Sequence, residues 1–236
     1  NILSASFNGE IIELSTKLSE NGSLKFYSWD DSNGKKAFWH SSAHLLAQVI
    51  SELYPKSKLT IGPAIDSGFY YDVDFGDDVF SENDFSKIEK RIIEICREGH
   101  DFNMRKSSKE DAINHYKVEK NEYKLELING IDDEITFCDH SNFSDLCKGG
   151  HIMNTKFIKS FKLLNVAGAY WRGNEKNKQL TRIYGISFPK EKLLNEYLKL
   201  IDEAKKRDHR IIGKKLNLFT FSKKVGQGLP LWLPAG

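Results

Sequence analysis

The sequence is poor in several things, and each shortage removes a class of protein. Three cysteines in 236 residues, Cys96, Cys138 and Cys147, are too few and odd in number for a disulfide framework, so a reducing compartment fits. No apolar run approaches the ~20 residues that a membrane-spanning helix needs. The opening "NILSASFNGEIIEL" has no basic start followed by an apolar core and is not a secretory signal. It also has no initiator Met, which suggests a cut fragment. There is no internal repeat and no low-complexity tract. Net charge is only +2. What remains is a soluble globular chain, 39% hydrophobic and 29% charged, expected in the cytoplasm.

The small net charge conceals an asymmetry. Residues 141–190 carry nine Lys and Arg against two acids, Asp145 and Glu175, whereas residues 1–34 carry five acids and two Lys. A basic stretch of this kind suits a face that meets phosphates, or simply a solvated surface.

Periodicity predicts a mixed fold. Asn8-Gly9 between short apolar runs marks a hairpin. "DDSNGKK" (Asp30–Lys36) is a polar break, and a helix is predicted from about His40 to Leu53, stopped before Pro55. Ile61–Phe75 reads as turn and strand. Phe85–Cys96 has helical spacing. Ser107 and Glu110 match a capping box for a further helix. "YKLELI" (Tyr123–Ile128) alternates and is predicted as a strand, as is "EITFC" (Glu134–Cys138). Two more strands follow, and Pro189 opens a long helix with Leu193, Leu194, Tyr197, Leu198 and Ile201 on its apolar face. Strands and helices without regular alternation give the class α+β.

Two pairs of residues carry chemistry. His40 and His44 in "HSSAHLLAQVI" lie four apart on a predicted helix, hence on one face. Cys147 and His151 in "DLCKGGH" are also four apart, but Gly149-Gly150 makes that segment a turn. Two His plus Cys and His is a tetrahedral ligand set; the same groups can equally form a metal-free polar pocket. Residues and spacing alone leave the choice between metal site and hydrolytic pocket open. Trp171 reads as packing, Cys96 and Cys138 as buried and inert, and His100, His115 and His209 as surface residues.

The stretches "HSSAHLLAQVI", "IGPAIDSGFYYD", "YKLELI", "DLCKGGH", "VAGAYWRGNEKNKQLTRIYGISF" and "AKKRDHRIIGKKLNLF" occur in this order. Together they resemble the N-terminal region of the bacterial-type threonyl-tRNA synthetase family over essentially the whole chain. The resemblance implies four parts. Residues 1–32 would end a β-grasp domain whose first strands are missing. Residues 33–189 would be an editing domain of the threonyl/alanyl second additional domain type. Residues 190–210 would be a linker helix, and 211–236 the incomplete beginning of a class II aminoacylation domain. The implied activity is hydrolysis of seryl-tRNA(Thr), with no aminoacylation expected from this fragment.

The resemblance also assigns roles. His40 and Lys124 are the catalytic candidates: His40 as base, Lys124 to hold water or stabilise negative charge. His44, Gly62, Tyr71, Asp145, Cys147 and His151 would bind substrate, Cys147 as a wall rather than a nucleophile. Lys148, Arg172, Lys176 and Lys178 are the RNA-binding candidates. The implied partner is the serine-carrying acceptor end of tRNA(Thr). No metal or cofactor is expected for editing; ATP, magnesium, a catalytic-domain zinc and a homodimer are expected only of the full-length enzyme. The rival readings are a non-catalytic tRNA-binding module and a zinc-binding editing domain of the alanyl type. Gly150 stands where the family often has Pro, and Lys148 where it has Arg.

Overall fold

A computed structural model describes residues 2–222, 226 and 228–234. Asn1 and parts of the 211–236 segment therefore lie outside the described residues. The chain forms two compact units, Asn1–Lys190 and Glu191–Gly236.

In the first unit, β1 (Ser4–Phe7) and β2 (Glu10–Ile12) form the predicted hairpin. Asn8 and Gly9 both have positive φ, 51° and 91°, the pair of left-handed residues that a tight hairpin turn of matching twist requires. β3 (Leu24–Tyr27) pairs with the other edge of β1. This three-stranded sheet is the part whose sequence resembles the end of a β-grasp domain.

The central helix α1 (Ser32–Leu53) begins eight residues before the predicted start, so "DDSNGKK" is not a break. The polar residues misled because Gly34 belongs inside the helix: a Cβ there would stand 1.8 Å from the Ser28 carbonyl oxygen. From Ala37 to Ile50 every side chain but that of His40 is buried, so α1 has no polar face to announce its period. Ser41 and Ser42 tolerate this by donating to the carbonyls of Ala37 and Phe38, 2.8 and 2.9 Å away.

β4 (Lys58–Leu59), β5 (Ala64–Ile65) and β6 (Gly68–Asp74) follow α1. Helix α2 (Phe85–Glu98) buries Phe85, Ile88, Ile92, Ile95 and Cys96, the spacing read from sequence. β7 (Asn103–Ser107) leads to α3 (Lys109–Val118). The cap of α3 is Ser108, whose hydroxyl accepts from the Asp111 amide at 3.0 Å, one residue later than the predicted Ser107 box.

The segment predicted as a strand at Tyr123–Ile128 is helix α4 (Glu122–Asn129). Its local alternation is overruled by a cap: Asn121 accepts from the Lys124 amide at 3.1 Å and donates to the Leu59 carbonyl at 2.9 Å. The consequence is functional. A strand would place Tyr123 and Lys124 on opposite faces; the helix buries both.

β8 (Ile135–His140) and β9 (Phe143–Leu146) complete a sheet of order β7-β8-β9, covered by α3 and α4 through Ala112, Tyr116, Ile128, Ile135 and Phe137. β10 (Ser160–Tyr170) and β11 (Gln179–Phe188) join the main antiparallel sheet, order β10-β11-β6-β4 with β5 on β6. Trp171 packs with Tyr123 and Leu180, as expected.

The second unit holds α5 (Glu191–Lys206), α6 (His209–Lys215) and a hairpin of β12 (Phe219–Phe221) with β13 (Pro230–Trp232). Among the described residues no helix is long and apolar enough to cross a membrane.

Candidate active site

A cavity of about 870 Å³ opens in the first unit. Its walls come from α1, the segment before β6, α4, β9 and the turn after β9, with Ser4 and Ile11 supplied by the N-terminal sheet. The predicted His40, His44, Gly62, Tyr71, Lys124, Asp145, Cys147, Lys148 and Arg172 all line it. His151 stands just behind, and Lys176 and Lys178 are not part of the lining.

One half of the site is organised around Asp145. It is 3% exposed and receives the Lys124 ammonium at 2.5 Å, the Tyr71 hydroxyl at 2.9 Å and the Tyr116 hydroxyl at 3.4 Å. His44 Nδ1 lies 3.3 Å away. Burial by itself would raise the carboxyl pKa; Lys124 and His44 outweigh it and hold Asp145 well below the usual carboxylate range. Tyr71 is pushed far up by burial and by the Asp145 charge, so it stays a donor. Its ring fills the space over Gly62, where a Cβ would meet it at 2.2 Å. Lys124 is thus an ion-pair partner first, and Asp145 has little capacity left to accept from a ligand.

The other half is organised around the Cys147 sulfur. His40 Nε2 lies 3.0 Å and His151 Nε2 3.3 Å from it, and the Gly149 amide donates to it at 3.3 Å. Burial would raise this thiol; His44 and His40 overcome it, and the pKa falls well below normal. His40 behaves in the opposite sense. Burial lowers its pKa, which leaves a neutral imidazole able to take a proton near pH 7. His40 is also only half-buried, whereas His44 is 3% and His151 1% exposed. The sulfur is 9% exposed and already engaged by three partners.

Sequence reasoning missed four contributors. Glu13, from the segment after β2, presents one carboxylate oxygen to the Gly150 amide (2.6 Å), the His151 amide (3.3 Å) and His151 Nδ1 (3.1 Å). That contact fixes which imidazole nitrogen faces the sulfur. Against the depressing effect of burial, contacts with Cys138, Cys147 and Glu13 hold the His151 pKa well above normal. Nothing near Glu13 in sequence signals this, because the partner is 138 positions away. Tyr116 also accepts from the Leu146 amide at 2.8 Å, tying α3 to β9. His140 is 2% exposed behind His44, with ring centroids 6.4 Å apart. Burial and the charges of His44 and His151 lower its pKa to about 3. The fourth is Lys36, one turn before His40 on α1 and part of the lining.

Of the expected surface histidines, His209 is exposed, but His100 and His115 are half-buried. His100 pairs with Glu98 at 2.9 Å and His115 packs on Tyr116 and Phe137. Cys96 and Cys138 are buried, their thiols pushed up to about 12 and about 11 by burial. Among the RNA-binding candidates, Arg172 pairs with Glu126 at 3.0 Å and Lys178 with Asp74 at 2.7 Å, while Lys148 and Lys176 are exposed.

The ligand atoms of His40, His44, Cys147 and His151 lie within 4.8 Å of one another, and His44 Nε2 is buried without a hydrogen-bond partner. Three imidazoles and a thiolate fit zinc by chemistry.

Residues 135–184 match the family model described as "Threonyl and Alanyl tRNA synthetase second additional domain". The whole chain aligns with proteins named threonine–tRNA ligase: 62% identical in Flavobacterium psychrophilum, 62% in Flavobacterium johnsoniae and 53% in Cytophaga hutchinsonii. It spans only 36–37% of the length of these relatives.

Proposed function

From a chain whose whole length aligns with part of threonine–tRNA ligases and whose residues 135–184 match the second additional domain of threonyl and alanyl synthetases, we propose an editing activity: hydrolysis of serine wrongly esterified to tRNA(Thr). The observation that carries the reading is His40. It is a half-buried imidazole on the cavity wall whose pKa burial lowers, bonded to the Cys147 sulfur at 3.0 Å and facing the saturated network around Asp145.

An aminoacyl ester is already activated, so the protein has mainly to place a water and stabilise charge. His40 takes a proton from water as oxygen attacks the ester carbon. The tetrahedral intermediate collapses by breaking the bond to the ribose oxygen, which recovers the proton from His40. Serine and the free RNA end leave. Lys124, held by Asp145, keeps positive charge close to the developing oxyanion. The second pocket is needed because one methyl separates serine from threonine, worth only ~1–3 kcal/mol to a first binding site. A smaller second pocket rejects threonine by clash. Cys147 and Tyr71 are the wall candidates for that sieve.

The proposed partner is the acceptor end of tRNA(Thr), in the cytoplasm. ATP- and magnesium-dependent charging of tRNA(Thr) with threonine, a zinc in the catalytic domain and a homodimer are proposed for the whole protein. The test is single-turnover deacylation of seryl- and threonyl-tRNA(Thr) by this chain. Release of serine but not threonine supports editing. Tight tRNA binding with no release of either supports a non-catalytic binding module.

The fit of the four-residue cluster to zinc favours one second reading, an editing domain of the alanyl type. His40, His44, Cys147 and His151 would hold the ion, which would supply Lewis-acid polarisation. We propose metal-free editing, for which activity persists in chelator. Loss with EDTA and recovery with zinc would favour the second reading.

A further inference from the structure

We propose that Lys36 and Lys148 form a phosphate grip at the mouth of the cavity, taking the phosphodiester that precedes the terminal nucleoside of an aminoacylated RNA. The proposal rests on the reading of the cavity as an aminoacyl-RNA site and adds the group that anchors its ligand.

The first support is placement. Lys36, His40 and His44 lie at i, i+4 and i+8 of α1, and all three line the cavity. Their exposure rises along this row: His44 is buried, His40 half-buried, Lys36 exposed. Four helical residues rise ~6 Å, so the Lys36 ammonium stands outside the proposed base, toward solvent. Lys148 follows Cys147 in the turn after β9. It is exposed and brings a second cation to the cavity from a different wall.

The second support is the charge ledger of the lining. Four cations line the cavity: Lys36, Lys124, Lys148 and Arg172. Lys124 is held by Asp145 at 2.5 Å and Arg172 by Glu126 at 3.0 Å. The lining's remaining acid, Glu134, pairs with Lys106 at 3.0 Å. Among the described residues, the ammonium groups of Lys36 and Lys148 have no hydrogen bond or ion pair. Three cations beside the main sheet are held by acids, Lys162 by Glu89, Lys178 by Asp74 and Arg182 by Asp72, whereas the ammonium groups of lysines such as Lys56, Lys87 and Lys176 are unpaired on the open surface; Lys36 and Lys148 differ from these in lining the cavity. Two uncompensated ammonium groups on separate walls of one apolar-lined cavity suit an anion entering between them. Ile11, Ile61, Pro63, Leu127 and Ile131 offer the apolar surface that a base would cover.

The probes are the dinucleotide cytidylyl-adenosine and plain adenosine, which differ by a nucleotide and its phosphodiester. Binding of each to the chain is measured by calorimetry from low to moderate salt. Wild type should prefer the dinucleotide. Lys36→Ala and Lys148→Ala should each weaken dinucleotide binding about three- to tenfold and leave adenosine unchanged. The salt slope for the dinucleotide should fall by about 0.7 per lysine removed, and Lys36→Arg should restore it. Equal dinucleotide affinity in wild type and both alanine variants, with adenosine still bound, would overturn the grip alone. Parallel loss of both probes would also overturn it, because the lysines would then be supporting the fold. Failure of wild type to bind either probe would overturn the pocket reading together with the grip.

Discussion

The two halves of the site obey opposite rules. Around Asp145 nearly every polar atom is used: three donors and a histidine converge on one buried carboxylate. Around Cys147 the groups are richer in capacity than in partners, with His40 open to the cavity and His44 Nε2 unpaired. A saturated network in a dry environment is rigid and costly to break. An unsaturated one can accept a reacting molecule. The contrast assigns the Asp145 half to holding the pocket's shape and the His40 half to chemistry.

Substitutions that separate rate from stability break this comparison most directly. His40→Ala should slow single-turnover serine release by roughly 10²–10⁴, while the unfolding midpoint in urea barely moves. A rate within a few-fold of wild type would remove His40 as base. Lys124→Ala should do the reverse in emphasis. It strands a buried carboxylate and should cost about 3–5 kcal/mol of stability, whatever it does to rate. Lys124→Met combined with Asp145→Asn, which leaves no stranded charge and keeps an acceptor for Tyr71, should regain much of that stability without regaining activity. If the double variant is as unstable as the single, the pair is not what holds this half together.

His140 sharpens the comparison through pH. Its folded pKa, about 3, lies below the unfolded value near 6.5. Between these values the unfolded chain binds a proton that the folded chain does not. Stability is therefore complete above about pH 6.5 and falls as the solution is acidified toward pH 3. His140→Phe should abolish about 2 kcal/mol of the loss between pH 7 and pH 5; identical pH profiles for variant and wild type would show that His140 is not buried neutral. The smallest effect is expected at Cys147. Cys147→Ser keeps a group of similar size and should slow serine release only a few-fold, because water attack needs no acyl-enzyme. A loss as deep as that of His40→Ala would mean the sulfur reacts.

What could be read in the sequence follows the same division. The His40–His44 and Cys147–His151 spacings were legible because each pair is local. The helix at Phe85–Glu98 was legible because it has one buried face; the strand at Ile135–His140 was legible from its apolar and β-branched residues although it buries side chains on both faces. α1 hid its first two turns because they begin in polar residues around Gly34, which reads as a break although the backbone is helical there. Lys124 was identified by resemblance, yet it was placed on a strand, since the cap at Asn121 draws on the distant Leu59 carbonyl. Glu13, Tyr116 and His140 act only through contacts between separate elements, and no spacing rule reports those. Lys36 was hidden differently, inside a segment read as a loop.

Gly150 carries one more consequence. Its φ of +89° is closed to proline, and its amide donates to Glu13, 137 positions earlier. Proline, which the resembling family often has at this place, can supply neither the angle nor the donor. The two positions are therefore epistatic. A change at 150 alone removes the donor and leaves Glu13 leaning on His151, whereas a change at 13 alone leaves two amides of the turn without their acceptor. Proline at 150 is compatible only with a turn that Glu13, in the segment after β2, does not hold through the amide of residue 150.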